Sequence, residues 1–421
     1  MGELTRHVDA LIIGAGPAGL SAALSLKKSG VEDILIVERE DAPGGILLQC
    51  IHNGFGLNAF KEELTGPEYA ERYVKVVREN NIETLLNTAA VDIVTLQDKK
   101  TVILLSKKKG LVKVTAKAVI LAMGCRERNR GNIAIPGSRP AGIMTAGFAQ
   151  KMTNLHGYLP GRNIVVVGSG DIGLIMARRL TWEGCRVKAV VEILPYPGGL
   201  NRNIVQCLND FGIPLYLSHA ITNITGARRI KSVQVAPIDK NLEPKKEGAF
   251  TLTCDTLLLS VGLIPENELS IRAGVTLDPV TGGAVVDADL MTSIPGIFSC
   301  GNVLHVHDLA DFVSEEADYC GKSAAAYIQN APTEKKEIPV KTGHLVRYVL
   351  PSRVEAGKKA IISLRPIAPS ENINMVVRTD KEIILKKKHR KIFPSTMLRI
   401  PIEEVPRDAQ YLEVSFIPEE K

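Results

Sequence analysis

One pattern occurs twice in this chain, and it limits the possible folds more than any other feature. Residues 9–19 read Asp-Ala-Leu-Ile-Ile-Gly-Ala-Gly-Pro-Ala-Gly, and residues 163–173 read Asn-Ile-Val-Val-Val-Gly-Ser-Gly-Asp-Ile-Gly. Each is an apolar run that stops at a glycine and gives way to helical periodicity, through Leu20, Leu24 and Leu26 in the first copy and Leu174, Ile175, Ala177 and Leu180 in the second. The expectation is a buried strand, a tight turn and a helix N-terminus. Gly14 permits the turn, Gly16 lets the backbone approach a pyrophosphate, and Gly19 lets the helix pack close to its strand; Gly168, Gly170 and Gly173 repeat these roles. Pro17 suits a first helical turn, where its missing N–H leaves no bond unmade. Free amides and the positive end of the helix dipole then face an anion. A lone G-x-G-x-x-G is weak evidence. Here each copy is followed by a second apolar strand ending in an acid, Glu38 and Glu192, both 24 residues after the first glycine (38 − 14 and 192 − 168). A carboxylate at that distance can accept hydrogen bonds from a ribose 2′-hydroxyl. Equal spacing in two copies is hard to produce by chance, so the chain is expected to hold two dinucleotide-binding folds.

The rest of the chain fits an α/β protein. Arg39 opens a turn-rich segment that reaches Pro43-Gly44-Gly45, where adjacent glycines suggest close approach of backbone to ligand. Gln49, Cys50 and His52 are the polar groups of the apolar stretch that follows. Residues 68–80 read as an amphipathic helix. Residues 84–96 (which include Val91), 102–105 and 112–116 read as a small β-meander, with Lys107-Lys108-Lys109-Gly110 as a hairpin turn. Residues 118–121, running into Ala122-Met123-Gly124, return to a parallel sheet, and residues 256–262, ending at Gly262, mirror them in the second copy. A strand ending at Gly301-Asn302 leads to a loop with His305, His307 and Asp308 and then to a helix over 310–329. From 338 onward, short alternating strands at 345–350, 359–364, 374–378, 382–386 and 411–416 predict an antiparallel β-sandwich.

With 421 residues, 45% of them hydrophobic, the chain can build two or three cores. It has no apolar run of spanning length, and its first nine residues are polar, so neither a membrane span nor a signal peptide is expected and the cytoplasm is the default location. The seven cysteines are scattered and never spaced C-x-x-C, which argues against a disulfide framework and a thiolate metal site. The net charge of +6 resides in residues 331–421, where 18 Lys and Arg face 12 Asp and Glu. Its densest run, Lys386-Lys387-Lys388-His389-Arg390-Lys391, reads first as the guard of an edge strand or hairpin and second as a docking surface. Nucleic acid is not expected, because no aromatics interleave with the charges.

Over residues 8–330 the chain resembles the two-dinucleotide-binding-domain flavoproteins, the pyridine nucleotide-disulfide oxidoreductase superfamily. The match is carried by Gly14-x-Gly16-x-x-Gly19 with Glu38, Ala122-Met123-Gly124, Gly168-x-Gly170-x-x-Gly173 with Glu192, Gly262, and Gly301-Asn302 where the superfamily usually has Gly-Asp. Residues 44–56 and 301–303 look closest to the FAD/NAD oxidoreductase subunits that accompany bacterial glycerol-3-phosphate dehydrogenase, with subunits of dye-linked amino-acid and opine dehydrogenases similar. The resemblance implies an FAD domain from residues 1–150 and 267–330, an inserted NAD(H) domain from 151–266, and a C-terminal sandwich over 335–421 available to a partner or interface. For FAD it implies Gly14, Gly16, Pro17, Ala18, Gly19, Glu38, Arg39, Gly44, Gly45, Gln49, Val91, Ala122, Met123, Gly124, Gly301, Asn302, Phe312 and Val313. For NAD it implies Gly168, Ser169, Gly170, Asp171, Ile172, Gly173, Glu192 and Gly262. It also implies that the helix near residue 310 aims the amides of Asp311, Phe312 and Val313 at the flavin.

The implied activity is FAD-dependent NADH oxidation, with hydride passing between NAD(H) and flavin and electrons passing on to oxygen or a partner flavoprotein dehydrogenase, in an oligomer or complex. Glu192 favours NADH, since it would repel a 2′-phosphate, although the nearby Arg178 and Arg179 keep NADPH open. Cys50 departs from the disulfide reductases because it has no partner cysteine at their spacings. Two alternatives therefore stand beside the main reading: a Cys50-dependent NADH peroxidase, and a largely structural FAD subunit of a dye-linked dehydrogenase complex. His52, His305 and His307 are candidate proton carriers or, less simply, a metal cluster, though no cysteine or carboxylate spacing supports a metal.

Overall fold

The structure, a computed structural model, describes residues 4–96, 99–329 and 335–418. Residues 1–3, 97–98, 330 and 419–421 of the expected domain ranges lie outside the described residues. The chain forms two compact units, Met1–Cys125 with Pro265–Lys421, and Arg126–Ile264.

In the first unit the strand Leu4–Ile13 lies inside a sheet, parallel to Ile34–Val37 on one side and to Gly110–Leu121 on the other. Residues 10–13 and 34–37 are all buried, as expected of parallel strands covered on both faces. Glu83–Leu85 extends the sheet beyond Ile34–Val37, and Ile297–Ser299 joins it against residues 119–121. The meander does not form a separate layer. Gly110–Leu121 is one continuous strand whose first part pairs antiparallel with Lys99–Ser106 and whose last part is parallel and fully buried. The lysine-rich turn is the hairpin before it, closed by the Ser106–Gly110 pair.

Register places the ends of four parallel strands at one edge, because Ile13 lies opposite both Val37 and Leu121, and Leu121 lies opposite Ser299. Gly14, Glu38, Ala122 and Gly301 therefore emerge together, outside the carboxyl ends where open α/β sheets bind ligands. The helices Pro17–Lys28 and Ala310–Gln329 pack closely over this sheet. A Cβ at Gly321 would lie 2.5 Å from the carbonyl oxygen of Ala22. The Ser21 and Ser25 hydroxyls donate to the Ser314 and Asp318 carbonyls at 2.7 and 2.6 Å.

The second unit repeats the plan with a parallel sheet in the order Ile143–Thr145, Thr256–Leu259, Asn163–Val167, Arg186–Glu192, Leu215–Leu217. Val167 lies opposite Val191 and Leu259, so Gly168, Glu192 and Ser260 emerge at one edge. The unit begins at Arg126, not at 151, because Ile143–Thr145 pairs with Thr256–Leu259 and is part of this sheet.

Residues 335–418 form a five-stranded and a three-stranded sheet around their own core, which includes Ile338, Val354, Ile362, Leu364, Leu412 and Phe416. Glu337–Thr342 runs parallel to Leu412–Pro418, so the sandwich is not wholly antiparallel. The basic run lies on Ile383–Ile392, the outermost strand of the larger sheet, where Lys391 pairs with Glu371 at 2.7 Å. Among the described residues no helix is long and apolar enough to cross a membrane.

Candidate functional site

The first glycine turn is built so that only one of its three glycines faces open space. Gly14 has φ +107°, and a Cβ there would lie 2.5 Å from the Ala122 carbonyl oxygen; at Gly19 it would lie 1.8 Å from the Gly14 oxygen. Gly16 has an ordinary φ of −76° and a Cβ built on it meets nothing within 4 Å. The helix begins directly after it with Pro17 at N1, so first-turn amides without intrahelical partners adjoin the open face. Glu38 is buried, and one oxygen accepts the Ala15 N–H at 2.8 Å while the other accepts that of Glu40 at 3.0 Å. A carboxylate has about four lone-pair positions, so it retains capacity for ribose hydroxyls.

The glycine doublet lies against this turn: Gly44 N–H donates to the Ala15 carbonyl at 2.8 Å, and a Cβ on Gly45 would come within 3.0 Å of Gly16 Cα. Both doublet residues have positive φ, +128° and +59°, which glycine takes without strain. Gly124 (φ +72°) also opens onto free space, and Gly301 (φ +74°) approaches the turn so closely that its Cβ would lie 2.8 Å from that of Ala18. Gln49 and Ala122 are buried and Met123 is half-buried. Val91 sits at a register shift between Ala90 and Asp92, the kind of bulge that leaves a backbone group unpaired. Arg39 is exposed, with Glu40 at 3.9 Å.

Three expectations need correction. The Phe312 and Val313 amides both donate to the Leu309 carbonyl, at 3.2 and 3.4 Å, so they are not free for a ligand. The Asp311 side chain instead holds the loop after Asn53–Phe55, accepting from Gly56 at 3.2 Å and Ala59 at 2.9 Å, and Phe312 stacks under Arg399 at 5.0 Å. Cys50 lacks the character of a reactive thiolate: its thiol donates to the Ile46 carbonyl at 3.3 Å, and burial pushes it up to about 12. His52 Nδ1 lies 3.0 Å from the Asn53 carbonyl, which makes it a donor there, and its ring packs 5.2 Å from Phe55. All seven cysteines are thiols.

His305 and His307 do come together, with ring centroids 4.2 Å apart, and both Nε2 atoms reach Glu316, at 2.7 and 3.3 Å. No pattern in the sequence singles out Glu316. Burial would push its carboxyl up, but the charge and hydrogen bonds of His307 and His305 outweigh that and hold it well below the usual carboxylate range. Burial, reinforced by His307, pushes the His305 imidazole down. The C-terminal sandwich braces this loop. Arg365 pairs with Asp308 and donates to the Val306 carbonyl at 3.0 Å, and the Met397 N–H donates to Asp308 at 2.6 Å.

In the second unit, Gly168 (φ +84°) would place a Cβ 2.2 Å from the Ser260 oxygen, and Gly173 one 2.6 Å from Ser260 Cβ. Gly170 is tighter than Gly16, with Ser260 Oγ 3.1 Å from its built Cβ. Glu192 is buried and accepts both the N–H and the hydroxyl of Ser169, at 2.8 and 2.6 Å, and the Leu194 N–H at 3.0 Å. This is the bond that Glu38 makes to Ala15. Asp171, in the first helical turn with Ile172, accepts from Leu200 N–H and Asn203 Nδ2 at 2.8 and 2.6 Å. Gly262 has φ +100° and is close to open, with only Arg128 Cδ at 3.8 Å. A further parallel was legible and missed. Pro197-Gly198-Gly199 follows Glu192 by five residues, as Pro43-Gly44-Gly45 follows Glu38 (197 − 192 and 43 − 38). The Gly198 N–H donates to Ser169 Oγ at 2.7 Å, so this doublet also closes on its turn. Arg178 stacks on Trp182 at 5.0 Å and Arg179 pairs with Glu183 at 2.6 Å, both engaged within their own helix.

Residues 8–337 match the family model described as pyridine nucleotide-disulphide oxidoreductase. The chain is similar to hydrogen cyanide synthase subunit HcnB of Pseudomonas aeruginosa, 25% identical over 375 residues covering 82% of this chain and 77% of the relative. It is also similar to an opine oxidase subunit of Agrobacterium tumefaciens, 25% identical over 365 residues covering 81% of this chain and 70% of that one. Among solved structures, T. acidophilum thioredoxin reductase shares the fold with a TM-score of 0.61 at 23% identity, covering 77% of this chain and 99% of that one.

Proposed function

Since the chain belongs to the pyridine nucleotide-disulphide oxidoreductase family and is an oxidoreductase of that family's flavin- and pyridine-nucleotide-dependent kind, we propose that it is an FAD-dependent NADH oxidoreductase that works without a redox-active disulfide. The observation that carries this reading is the repeated turn. Gly14 to Gly19 with Glu38 and Gly168 to Gly173 with Glu192 make the same contacts, each acid accepting the N–H of the residue after the first glycine.

FAD fits the first turn because Gly16 opens onto space that a side chain would fill and Glu38 keeps acceptor capacity for the ribose. NADH is the nucleotide assigned to the second turn. Glu192 disfavours a 2′-phosphate, and Arg178 and Arg179 are engaged on their own helix. When bound, the two cofactors supply the hydride chemistry, and this chain's contribution is orientation, exclusion of water and fixed dipoles. Electrons pass on to oxygen or to a partner flavoprotein dehydrogenase. Two relatives are named as subunits, which supports a partner chain; neither name mentions a glycerol-3-phosphate dehydrogenase, so that narrower partner has no support from them.

A Cys50 peroxidase is disfavoured, because a thiol pushed up to about 12 supplies almost no thiolate at neutral pH. The test is Cys50→Ser. The variant should oxidise NADH and form peroxide from oxygen at the wild-type rate. Loss of NADH-dependent peroxide consumption in a folded Cys50→Ser protein whose flavin NADH still reduces would restore the peroxidase reading.

A further inference from the structure

The positive charge of the C-terminal sandwich is concentrated on an open sheet edge. Ile383–Ile392 is the last strand of the five-stranded sheet, and among the described residues it pairs with Ser370–Arg378 alone. Its ten residues, at about 3.4 Å each, make an edge roughly 30 Å long. Alternate residues of such an edge turn their N–H and C=O groups outward, where another chain can pair with them. Short length, proline or a bulge commonly blunts an edge of this kind. This strand has no proline, and the register shift in its pairing lies near its start, so that Leu385 to Ile392 keep a constant register.

What sets the edge apart is its charge. Lys386, Lys387, Lys388, Arg390 and Lys391 are all exposed. The adjoining strand offers them one acid: Val376, Met375 and Asn374 stand opposite Lys386, Lys387 and Lys388, and Glu371, opposite Lys391, is the only acid in Ser370–Arg378. Apolar groups border the positive run at both ends, Ile383 being 57% and Phe393 44% exposed. Successive side chains of a strand point to opposite faces, so Lys386, Lys388 and Arg390 line one face of the edge and Lys387 and Lys391 the other. A flat anionic surface laid on the sheet would meet one of these rows. A strand added along the edge meets both, because its side chains stand beside those of its neighbour on each face. A second copy of this chain would bring one positive run alongside another, and like charges placed opposite each other are destabilising.

We propose that the edge of Ile383–Ile392 is a docking site for a partner protein, which adds an extended acidic segment to the sheet as a further strand, with its acids beside the lysines and Arg390 and its apolar ends near Ile383 and Phe393. In this mode of recognition main-chain hydrogen bonds supply affinity and the side-chain rows supply selectivity. The site uses none of the residues assigned to FAD or NADH, so it stands independently of that reading.

The test titrates the full chain, at low ionic strength, with a fluorescent end-blocked peptide that carries a run of glutamates between valine-rich ends. Saturable binding is expected, weakened by added salt and accompanied by slower amide hydrogen exchange within Ile383–Ile392. Lys386→Glu and Lys387→Glu reverse one charge on each face and should weaken binding by roughly threefold or more each and roughly tenfold together. If either reversal fails to fold, Lys386→Gln and Lys387→Gln serve instead, with smaller losses on both faces. Lys107→Glu, in the separate basic hairpin, should leave binding unchanged. Absence of saturable binding overturns the proposal, as does equal binding of the same peptide with glutamine in place of glutamate or with a central proline. Equal weakening by Lys107→Glu would reduce the effect to diffuse attraction and overturn it, and a loss confined to one face would overturn strand addition. Retention on phosphatidylserine vesicles with no peptide binding would assign the run to a lipid surface and likewise overturn the proposal. A chain that binds no FAD can be tested in the same way, so failure of the flavin reading and failure of the docking site are told apart.

Discussion

Replacing Gly16 and Gly19 separately with alanine should divide ligand binding from folding. At Gly16 the backbone has φ −76° and ψ −174°, which alanine adopts readily, and its Cβ meets no atom within 4 Å. The flavin-free protein should therefore lose no more than about 0.5 kcal/mol of stability, the range of substitutions that touch nothing. The same methyl occupies the space assigned to the pyrophosphate. If it costs one charge-assisted hydrogen bond, the loss is about 1.5–3 kcal/mol, or roughly 10- to 150-fold in FAD affinity. At Gly19 the Cβ would stand 1.8 Å from the Gly14 carbonyl oxygen, so backbone must move, and overpacking of this kind costs about 1–3 kcal/mol or more before any ligand is added. Denaturant unfolding of the flavin-free proteins and fluorescence titration with FAD would measure both quantities. Wild-type FAD affinity in a folded Gly16→Ala protein would refute the placement of the pyrophosphate. Equal stability losses in the two variants would refute the description of the turn.

Two further predictions concern the loop held by the C-terminal sandwich. The His305 imidazole is pushed below its ordinary 6.5 and the Glu316 carboxyl below 4.5, so the unfolded chain binds more protons than the folded one as pH falls below each value. Stability should be fully present above about pH 6.5 and should decline progressively on acidification, with a further loss below 4.5; in urea unfolding across that range, Glu316→Gln should flatten the lower part, and an unchanged profile would contradict the assignment. Arg365→Ala leaves Asp308 without its buried partner and should destabilise the protein by about 3–5 kcal/mol, with faster amide hydrogen exchange around residues 305–308; a loss under 1 kcal/mol would show that the sandwich does not brace the loop.

The parts of the fold that were legible in the sequence are those where local backbone geometry dictates residue type. Gly14 and Gly168 have positive φ and stand against a neighbouring carbonyl, so the glycines had to be visible, and the acids that close on these turns stand at a fixed distance because strand and helix lengths are fixed. The parts that were missed depend on tertiary contact. Gly110–Leu121 changes from alternating to continuous burial halfway along because its neighbours change, and this read as two strands. Glu316 is separated from His305 by a loop and about two turns of helix, and no spacing rule connects them. The contacts from Tyr348, Arg365 and Arg399 come from strands whose own patterns are ordinary. The Phe312 and Val313 amides were misjudged because helix periodicity locates a helix but leaves open which residue starts its hydrogen bonding, and Leu309 does so here. The second Pro-Gly-Gly needed only a longer comparison of the two copies.

The central claim is that this chain passes hydride between NADH and an FAD of its own, and anaerobic mixing tests it most directly. Purified protein, reconstituted with FAD if necessary, is mixed with NADH or with NADPH in the absence of oxygen while the flavin absorbance is followed. Rapid bleaching with NADH and much slower bleaching with NADPH is the predicted result. A protein that cannot be reconstituted with FAD, or whose flavin stays oxidised in excess NADH, would contradict the account.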